Sequence, residues 1–191
     1  MKRNLFRMAT LLVALVMVSL GSVKAQEAGD MAAGANVGIA TGGGLTNFGI
    51  GGKFQYNVTD QIRGEGLFTY YLGDFKYWDL SVNAHYLFGI PDVPQLNVYP
   101  LAGLSLCGFG GGSGDSYWEY FDSITGQWVR EYLDDNEDGG SSTTLGLNLG
   151  GGANYKLTDQ LYFNAELKYR IELAQYSTNM FMISVGVAYK F

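Results

Sequence analysis

The chain has 191 residues, 47% of them hydrophobic, with a formal net charge of −6 and one cysteine, Cys107, which excludes an internal disulfide framework. Its acidic balance repels the phosphates of nucleic acids, so that nucleic-acid binding is excluded as well. The abundance of glycine (28), tyrosine (14) and phenylalanine (11) beside 3 prolines favours an all-β protein with many closely packed strands.

The first 25 residues have the organisation of a secretory signal peptide. Three basic residues precede an apolar run over residues 8–20, and Val23 and Ala25 place small side chains before a cleavage site. The run is too short for a transmembrane helix, which needs roughly 20 apolar residues. The alternative is a buried N-terminal helix. We predict that residues 1–25 are a signal peptide and that residues 26–191 form one barrel domain, with 8 basic and 18 acidic residues and a net charge of −10.

Eight segments of the mature chain alternate between apolar and polar or small residues, which is the period of a β-strand. The last one, FMISVGVAYKF, is eleven residues long. At about 3.3 Å per residue it measures roughly 36 Å, or about 28 Å when tilted as in a membrane barrel. We therefore predict an eight-stranded antiparallel transmembrane β-barrel with up-and-down topology, whose strands lie near residues 31–40, 47–56, 62–72, 78–88, 96–108, 144–155, 161–172 and 181–191.

A phrase of seven residues occurs twice, as YNVTDQI at residues 56–62 and as YKLTDQL at residues 155–161. Each copy joins two predicted strands on the same side of the barrel. We predict two short periplasmic turns in which Thr and Asp side chains bond to their own backbone and the Tyr lies in the aromatic girdle. GIPDVPQ, at residues 89–95, provides the third turn on that side.

The polar faces of these strands indicate which side is the interior. They are rich in glycine and carry charges of both signs, whereas a solvated face would favour Lys, Glu and Thr. We predict that this face fills the barrel interior, where isolated charges would be costly and are therefore paired, while apolar side chains meet lipid. The alternative is a soluble secreted barrel, in which the apolar faces form the core and the polar faces meet water. The predicted lumen charge network consists of Arg63, Glu65, Asp79, Glu166, Lys168, Arg170 and Glu172; Lys53, Lys156 and Lys190 lie on the same polar faces.

The longest connection, about residues 110–142, combines eight acidic residues with one basic residue, Arg130. YWEYF and QWVREYL flank SITG, which predicts a hairpin above the membrane. Its aromatic residues either pack this hairpin and the girdle or bind a partner as anchors. The candidate partner-binding residues are Tyr117, Trp118, Tyr120, Phe121, Trp128 and Tyr132.

The segment DDNEDG places Asp134, Asn136 and Asp138 at the spacing of a calcium loop. The expected glutamate at the twelfth position is absent, because Leu145 stands there. A solvated acidic tip is the preferred interpretation, and we predict no metal and no cofactor.

His85 is the single histidine, and Ser81 lies on the same strand face. A catalytic triad is defined by geometry, so residue types alone do not establish one. We predict a hydrogen-bonded histidine in the lumen, a small buried filler at Cys107, and no catalytic residue.

The two turns, the strand YPLAGLSL at residues 99–106 and the terminal VGVAYKF resemble OmpA/OmpX-type small outer-membrane barrels, over the whole mature chain. The resemblance implies an outer-membrane location, contact with its lipid, and an assembly signal at Tyr189 and Phe191 that the barrel-assembly machinery reads. It also implies a non-enzymatic role in envelope integrity or surface adhesion to an extracellular protein or surface ligand. No peptidoglycan-binding domain is expected after the barrel. A narrow porin-like channel and an outer-membrane lipid-modifying enzyme are the alternatives.

Overall fold

The computed structural model describes residues 26–73, 76–109, 117–122, 127–132, 142–174 and 178–191; for 109, 117–122, 127–132 and 142 it describes the backbone alone. No helix in these ranges is long and apolar enough to cross a membrane. Eleven strands follow in chain order: β1 (Met31–Gly42), β2 (Leu45–Asn57), β3 (Ile62–Gly73), β4 (Tyr77–Tyr86), β5 (Phe88–Ile90), β6 (Val93–Phe109), β7 (Tyr117–Asp122), β8 (Gln127–Tyr132), β9 (Ser142–Lys156), β10 (Leu161–Glu172) and β11 (Met180–Lys190).

Eight of these strands close into an antiparallel barrel in the order β4-β3-β2-β1-β11-β10-β9-β6, and β4 pairs with β6 to complete the ring. The first and last strands meet along most of their length, from Ala32 opposite Lys190 to Thr41 opposite Phe181. Closure removes every sheet edge, which a spanning sheet requires because lipid offers no hydrogen bonds. The predicted eight-stranded barrel is confirmed. The short β5 follows β4 in the chain and, like β4, pairs with β6. β7 and β8 form a separate two-stranded sheet.

The side chains of the barrel have an apolar outside and a polar inside. Large apolar residues such as Val82, Ile50 and Leu104 are more than half exposed on the outer face. The inner face carries many buried polar side chains, among them Asn148 and Gln55, at about 1% exposure. This is the reverse of a soluble barrel and matches a membrane barrel with a filled interior.

The repeated phrase forms the same turn twice. In the first copy, the amides of Val58 and Thr59 both donate to the carbonyl of Ile62, and the Thr59 hydroxyl accepts from the Ile62 amide at 2.9 Å. The second copy repeats these bonds with Thr158 and Leu161, also at 2.9 Å. The predicted threonine-to-backbone bonding is confirmed. Both turns lie at one end of the barrel, which we call the turn end; the opposite end is the loop end.

The two aspartates of these turns have different partners from each other. Asp60 accepts a hydrogen bond from the amide of Ala28 at 3.1 Å, which ties the segment before β1 to the turn. Asp159 forms an ion pair with Lys156 at 2.7 Å. A hydrogen bond from the Lys156 ammonium lowers the pKa of the Asp159 carboxyl below its ordinary value.

An apolar cluster fills the lumen at the loop end. The rings of Tyr71 and Tyr77 stack with centroids 4.5 Å apart, and the Tyr77 hydroxyl donates to the sulfur of Met180 at 3.4 Å. Gly49 permits this arrangement, because a Cβ there would lie 2.6 Å from the Tyr71 ring. The polar lumen is therefore closed on the loop side by packed apolar groups, Ala40 and Met182 included.

Candidate functional site

The middle of the lumen is organised around the ammonium group of Lys53. Its Nζ lies 3.7 Å from Glu65 and 3.6 Å from Glu166, and donates a hydrogen bond to Asn164 at 2.8 Å. Lys168 adds a second ammonium, 3.5 Å from Glu166. These five side chains come from β2, β3 and β10, and all are almost completely buried. Opposite charges therefore balance where water is excluded.

Two aromatic rings cover this central cluster. His85 on β4 and Tyr99 on β6 stack with their centroids 4.5 Å apart, and the Tyr99 hydroxyl donates to Glu166 at 2.9 Å. His85 lies in the lumen as predicted, but the predicted hydrogen bond is wrong within the described residues. Neither ring nitrogen has a hydrogen-bond partner there, and Nε2 lies 3.6 Å from Glu65. The imidazole therefore stacks on Tyr99 and lies beside the Glu65 carboxylate.

A second layer, nearer the loop end, is organised around Arg170. Its guanidinium forms an ion pair with Asp79 and lies 3.9 Å from Glu172. Asp79 also accepts a hydrogen bond from Ser81 at 2.5 Å. Cys107 lies inside this layer and accepts a hydrogen bond from Arg170 at 2.8 Å. The thiol is therefore a polar member of the layer as well as the buried filler that the sequence predicts.

A third layer lies towards the turn end and contains Arg63. Its guanidinium donates to Asn57 at 3.0 Å and to Gln55 at 3.4 Å, and it lies 5.5 Å above the ring of Tyr162. Gln55 also accepts from the Tyr162 hydroxyl and donates to Glu65 at 2.7 Å. Arg63 is thus connected to Glu65 of the charge network through the neutral side-chain amide of Gln55.

Three side chains have a spacing that could hold a metal ion. Donor atoms of Glu65, His85 and Glu166 lie within 4.8 Å of one another. The ammonium of Lys53 lies 3.7 Å from Glu65 and 3.6 Å from Glu166, so that a cation already balances the two carboxylates.

The described contacts do not join His85 and Ser81 into a catalytic arrangement. The Ser81 hydroxyl donates to Asp79, and no hydrogen bond between Ser81 and the imidazole is found among the described residues. Both side chains are about 1% exposed or less. Neither is positioned to meet a lipid ester at the barrel surface.

The hairpin predicted within residues 110–142 forms its own sheet. β7 and β8 pair from Tyr117 opposite Tyr132 to Asp122 opposite Gln127, so that the six candidate partner-binding residues lie on its two strands. Their side chains are outside the described part of the chain. Asp134, Asn136 and Asp138, the weak calcium candidates, lie outside the described residues altogether.

The chain ends at the turn end with two exposed aromatic residues. Tyr189 is 48% and Phe191 66% exposed, and the Phe191 amide donates to Met31 of β1 at 3.1 Å. Two lysines that were expected on the lumen face lie at this rim instead. Lys156 pairs with Asp159, and Lys190 pairs with Asp30 at 3.1 Å, because the strands end here and water reaches both ammonium groups.

Sequence reasoning left three central residues out of the predicted network. Lys53 lies on the expected face, but nothing local marks it as the cation between two carboxylates. Gln55 and Tyr99 are neutral, so a prediction based on charged residues does not include them. Strict alternation along β6 would have found Tyr99, because it shares the inward parity of Cys107.

Comparisons with known proteins agree with this architecture. The family "outer membrane protein beta-barrel domain" matches residues 10–191. No curated protein sequence matches the chain significantly.

Solved structures with the same fold include three bacterial barrels. The N-terminal β-barrel domain of Pseudomonas aeruginosa OprF is 20% identical, with a TM-score of 0.59 over 87% of this chain and all of that one. Neisserial surface protein A is also 20% identical, with a TM-score of 0.57 over 85% of this chain and 96% of that one. Ail, the attachment invasion locus protein of Yersinia pestis, is 17% identical, with a TM-score of 0.51 over 87% of this chain and all of that one. Ail has also been solved with the heparin analogue sucrose octasulfate.

Proposed function

We propose that this chain, which belongs to the outer membrane protein β-barrel domain family and lies in the outer membrane, is a non-enzymatic anchor that presents an interaction hairpin at the cell surface. The barrel itself would contribute to envelope integrity. The observation that carries the proposal is the separate β7–β8 sheet. It is the one exterior connection in the described chain with secondary structure of its own.

The outer and inner faces of the barrel are not available to an external ligand. The outer face is apolar and suits lipid, and the inner face is filled by paired charges and packed rings. A ligand from outside the cell would therefore meet the exterior connections first. The β1–β2 connection consists of two glycines, Gly43 and Gly44, and offers little surface. Loops on a rigid scaffold are the usual place for binding residues.

The charge of the hairpin segment favours a basic partner. Residues 110–142 carry eight acidic residues and one basic residue. A polyanion such as the heparin analogue bound by Ail would be repelled by this segment. We expect a basic protein surface or an extended basic peptide, with aromatic side chains as anchors and an attraction that weakens as salt is added.

A narrow channel and a lipid-modifying enzyme are the competing functions. Ion pairs around Lys53 and Arg170 stand across the lumen at two levels, and the apolar cluster lies beyond them. These layers argue against a continuous water path. The burial of His85 and Ser81 argues against access to a lipid substrate.

Replacement of residues 110–141 by a short Gly-Ser turn tests the proposal. Barrel insertion and heat-modifiability should persist, because closure depends on the eight strands. Cells with the intact protein should adhere to poly-lysine surfaces in low salt and not to heparin surfaces, and the replacement should abolish adhesion.

A matched variant separates anchors from charge. It changes the six aromatic residues of the hairpin to Ser and keeps the acids. Adhesion should fall at all salt concentrations, because the anchors are lost and the attraction remains. Adhesion that survives the loop replacement, or a barrel that cannot fold without the loop, would refute the hairpin assignment. If cells became more sensitive to detergent after the replacement, the hairpin would itself contribute to envelope integrity.

A further inference from the structure

An apolar groove of about 320 Å³ lies on the outer wall of the barrel, where the first and last strands meet. Its outward-facing side chains come from four neighbouring strands, β2, β1, β11 and β10. All of these side chains are aliphatic or aromatic, so none can donate or accept a conventional hydrogen bond. They are Ile50, Ala35, Val37, Val185, Val187 and Phe163. Asn36 and Gly186, which also border the groove, have the lumen-facing parity.

The groove results from small residues beside larger ones in one row across the sheet. Ala35 lies opposite Gly52 of β2 on one side and Val187 of β11 on the other. Phe163 of β10 follows Val187 in the same row. The row therefore rises from a glycine and an alanine to a phenylalanine, which leaves a recess in the barrel wall.

The groove is bounded by bulky groups towards the loop end and continues towards the turn end. On the turn side, the next outward row places Ala33 between Phe54 and Tyr189. A single methyl group there leaves a passage along β1 between two aromatic residues. On the loop side, the next outward row consists of three large side chains, each at least half exposed: Phe48, Ile39 and Ile183. A flexible chain can therefore reach the groove along β1 from the turn end.

The location of this wall indicates what fills the groove. The protein lies in the outer membrane, and the groove is continuous with the apolar outer face that meets lipid. A hydrocarbon chain can follow a narrow recess and gain dispersion contacts along its length. A second copy of the protein is disfavoured, because membranes give no hydrophobic gain when protein replaces lipid. The outward lining also has no polar side chain to bond across such an interface.

We infer that the groove holds a segment of one acyl chain of a phospholipid from the leaflet at the turn end, the side that the sequence predicts to be periplasmic. The chain passes Ala33, lies over Ala35 and ends against the row that contains Ile39. The volume is near the lower bound of ligand pockets, which measure about 300–1,000 Å³, and it suits part of one chain and not a whole lipid. The inference is independent of the hairpin, which lies at the other end of the barrel.

Native mass spectrometry tests the inference on the full protein, purified from outer membranes in mild detergent and titrated with dioleoyl phosphatidylethanolamine. One phospholipid per barrel should be retained in a saturable manner. Ala35→Leu fills the floor of the groove from an outward position and should weaken retention at least about tenfold. Ala102→Leu is the matched control, because it makes the same change on the outer face of β6, across the ring from β1. It should leave retention unchanged.

A second variant, Phe163→Ala, removes a wall of the groove instead of filling its floor, and it should weaken retention as well. It decides the question if Ala35→Leu does not fold, which heat-modifiability would reveal. Equal retention by the parent and the groove variants would overturn the inference, and so would the absence of saturable retention. Retained lipopolysaccharide in place of phospholipid would overturn the choice of leaflet. A dimer that Ala35→Leu dissociates would show that a second copy fills the groove.

Discussion

The guanidinium of Arg170 on β10 forms an ion pair with the carboxylate of Asp79 on β4, although these strands are not neighbours in the barrel. Both residues are about 1% exposed. The pair therefore connects two strands through the lumen, past the two strands β9 and β6 that separate them in the ring. Its removal should affect the whole structure and not one hairpin.

Replacement of only one residue of this pair should destabilise the folded protein. Asp79→Leu or Arg170→Met alone should lower the free energy of unfolding by about 3–5 kcal/mol, because a buried charge loses its partner. The double variant should cost less than the sum of the two, since both charges of the Asp79–Arg170 pair are removed together and only Glu172 loses a neighbouring cation. Urea unfolding in detergent micelles measures all three.

The exposed pair at the turn end is the control for this experiment. Lys156→Met removes the partner of Asp159, yet both side chains remain hydrated, so the unfolding midpoint should scarcely change. Single lumen variants with the same midpoint as the parent would mean that the lumen is wet. Planar-bilayer conductance would then decide whether the barrel is a narrow pore.

Inward-facing glycine makes room for the ring of Tyr99. A Cβ at Gly152 would lie 2.7 Å from the Tyr99 hydroxyl and 2.7 Å from the carbonyl oxygen of Ala165. Gly152→Ala should therefore destabilise the barrel by about 1–3 kcal/mol through overpacking. Gly66→Ala is the matched control on the outer face, where no atom lies within 4 Å of the new Cβ. Equal stability of the two variants would argue against a tightly packed lumen.

The repeated turns should respond alike to the same change. Thr59→Val and Thr158→Val each remove a hydroxyl that accepts two backbone amide bonds. Each should cost about 1 kcal/mol in unfolding free energy, and Thr→Ser at either site should retain most of the stability. A loss at one site alone would show that the shared sequence acts through its surroundings and not through the turn itself.

The terminal strand should govern assembly. Replacement of Tyr189 and Phe191 together by Ser should lower outer-membrane levels sharply, because β11 closes the ring against β1 and carries the exposed aromatic pattern. Phe181→Ser changes the same face at the other end of β11 and serves as the control. Fractionation and immunoblotting compare the levels. Normal levels of the double variant would contradict an assembly role for these two residues.

Local sequence determined the strands, their two faces and the repeated turn. Period-two alternation fixes which side chains share a face wherever a strand forms, and a Thr two or three residues before an amide can bond to it without help from distant residues. The sense of the barrel also followed from the sequence. Glycine and balanced charge on one face are explained by a packed interior and not by contact with water.

The partners inside the lumen were decided by the tertiary structure alone. Lys53 lies between Glu65 and Glu166, and Tyr99 lies against His85, because barrel closure fixes the stagger of all eight strands at once. No local pattern encodes that stagger. Neutral groups such as Gln55 complete the network by position.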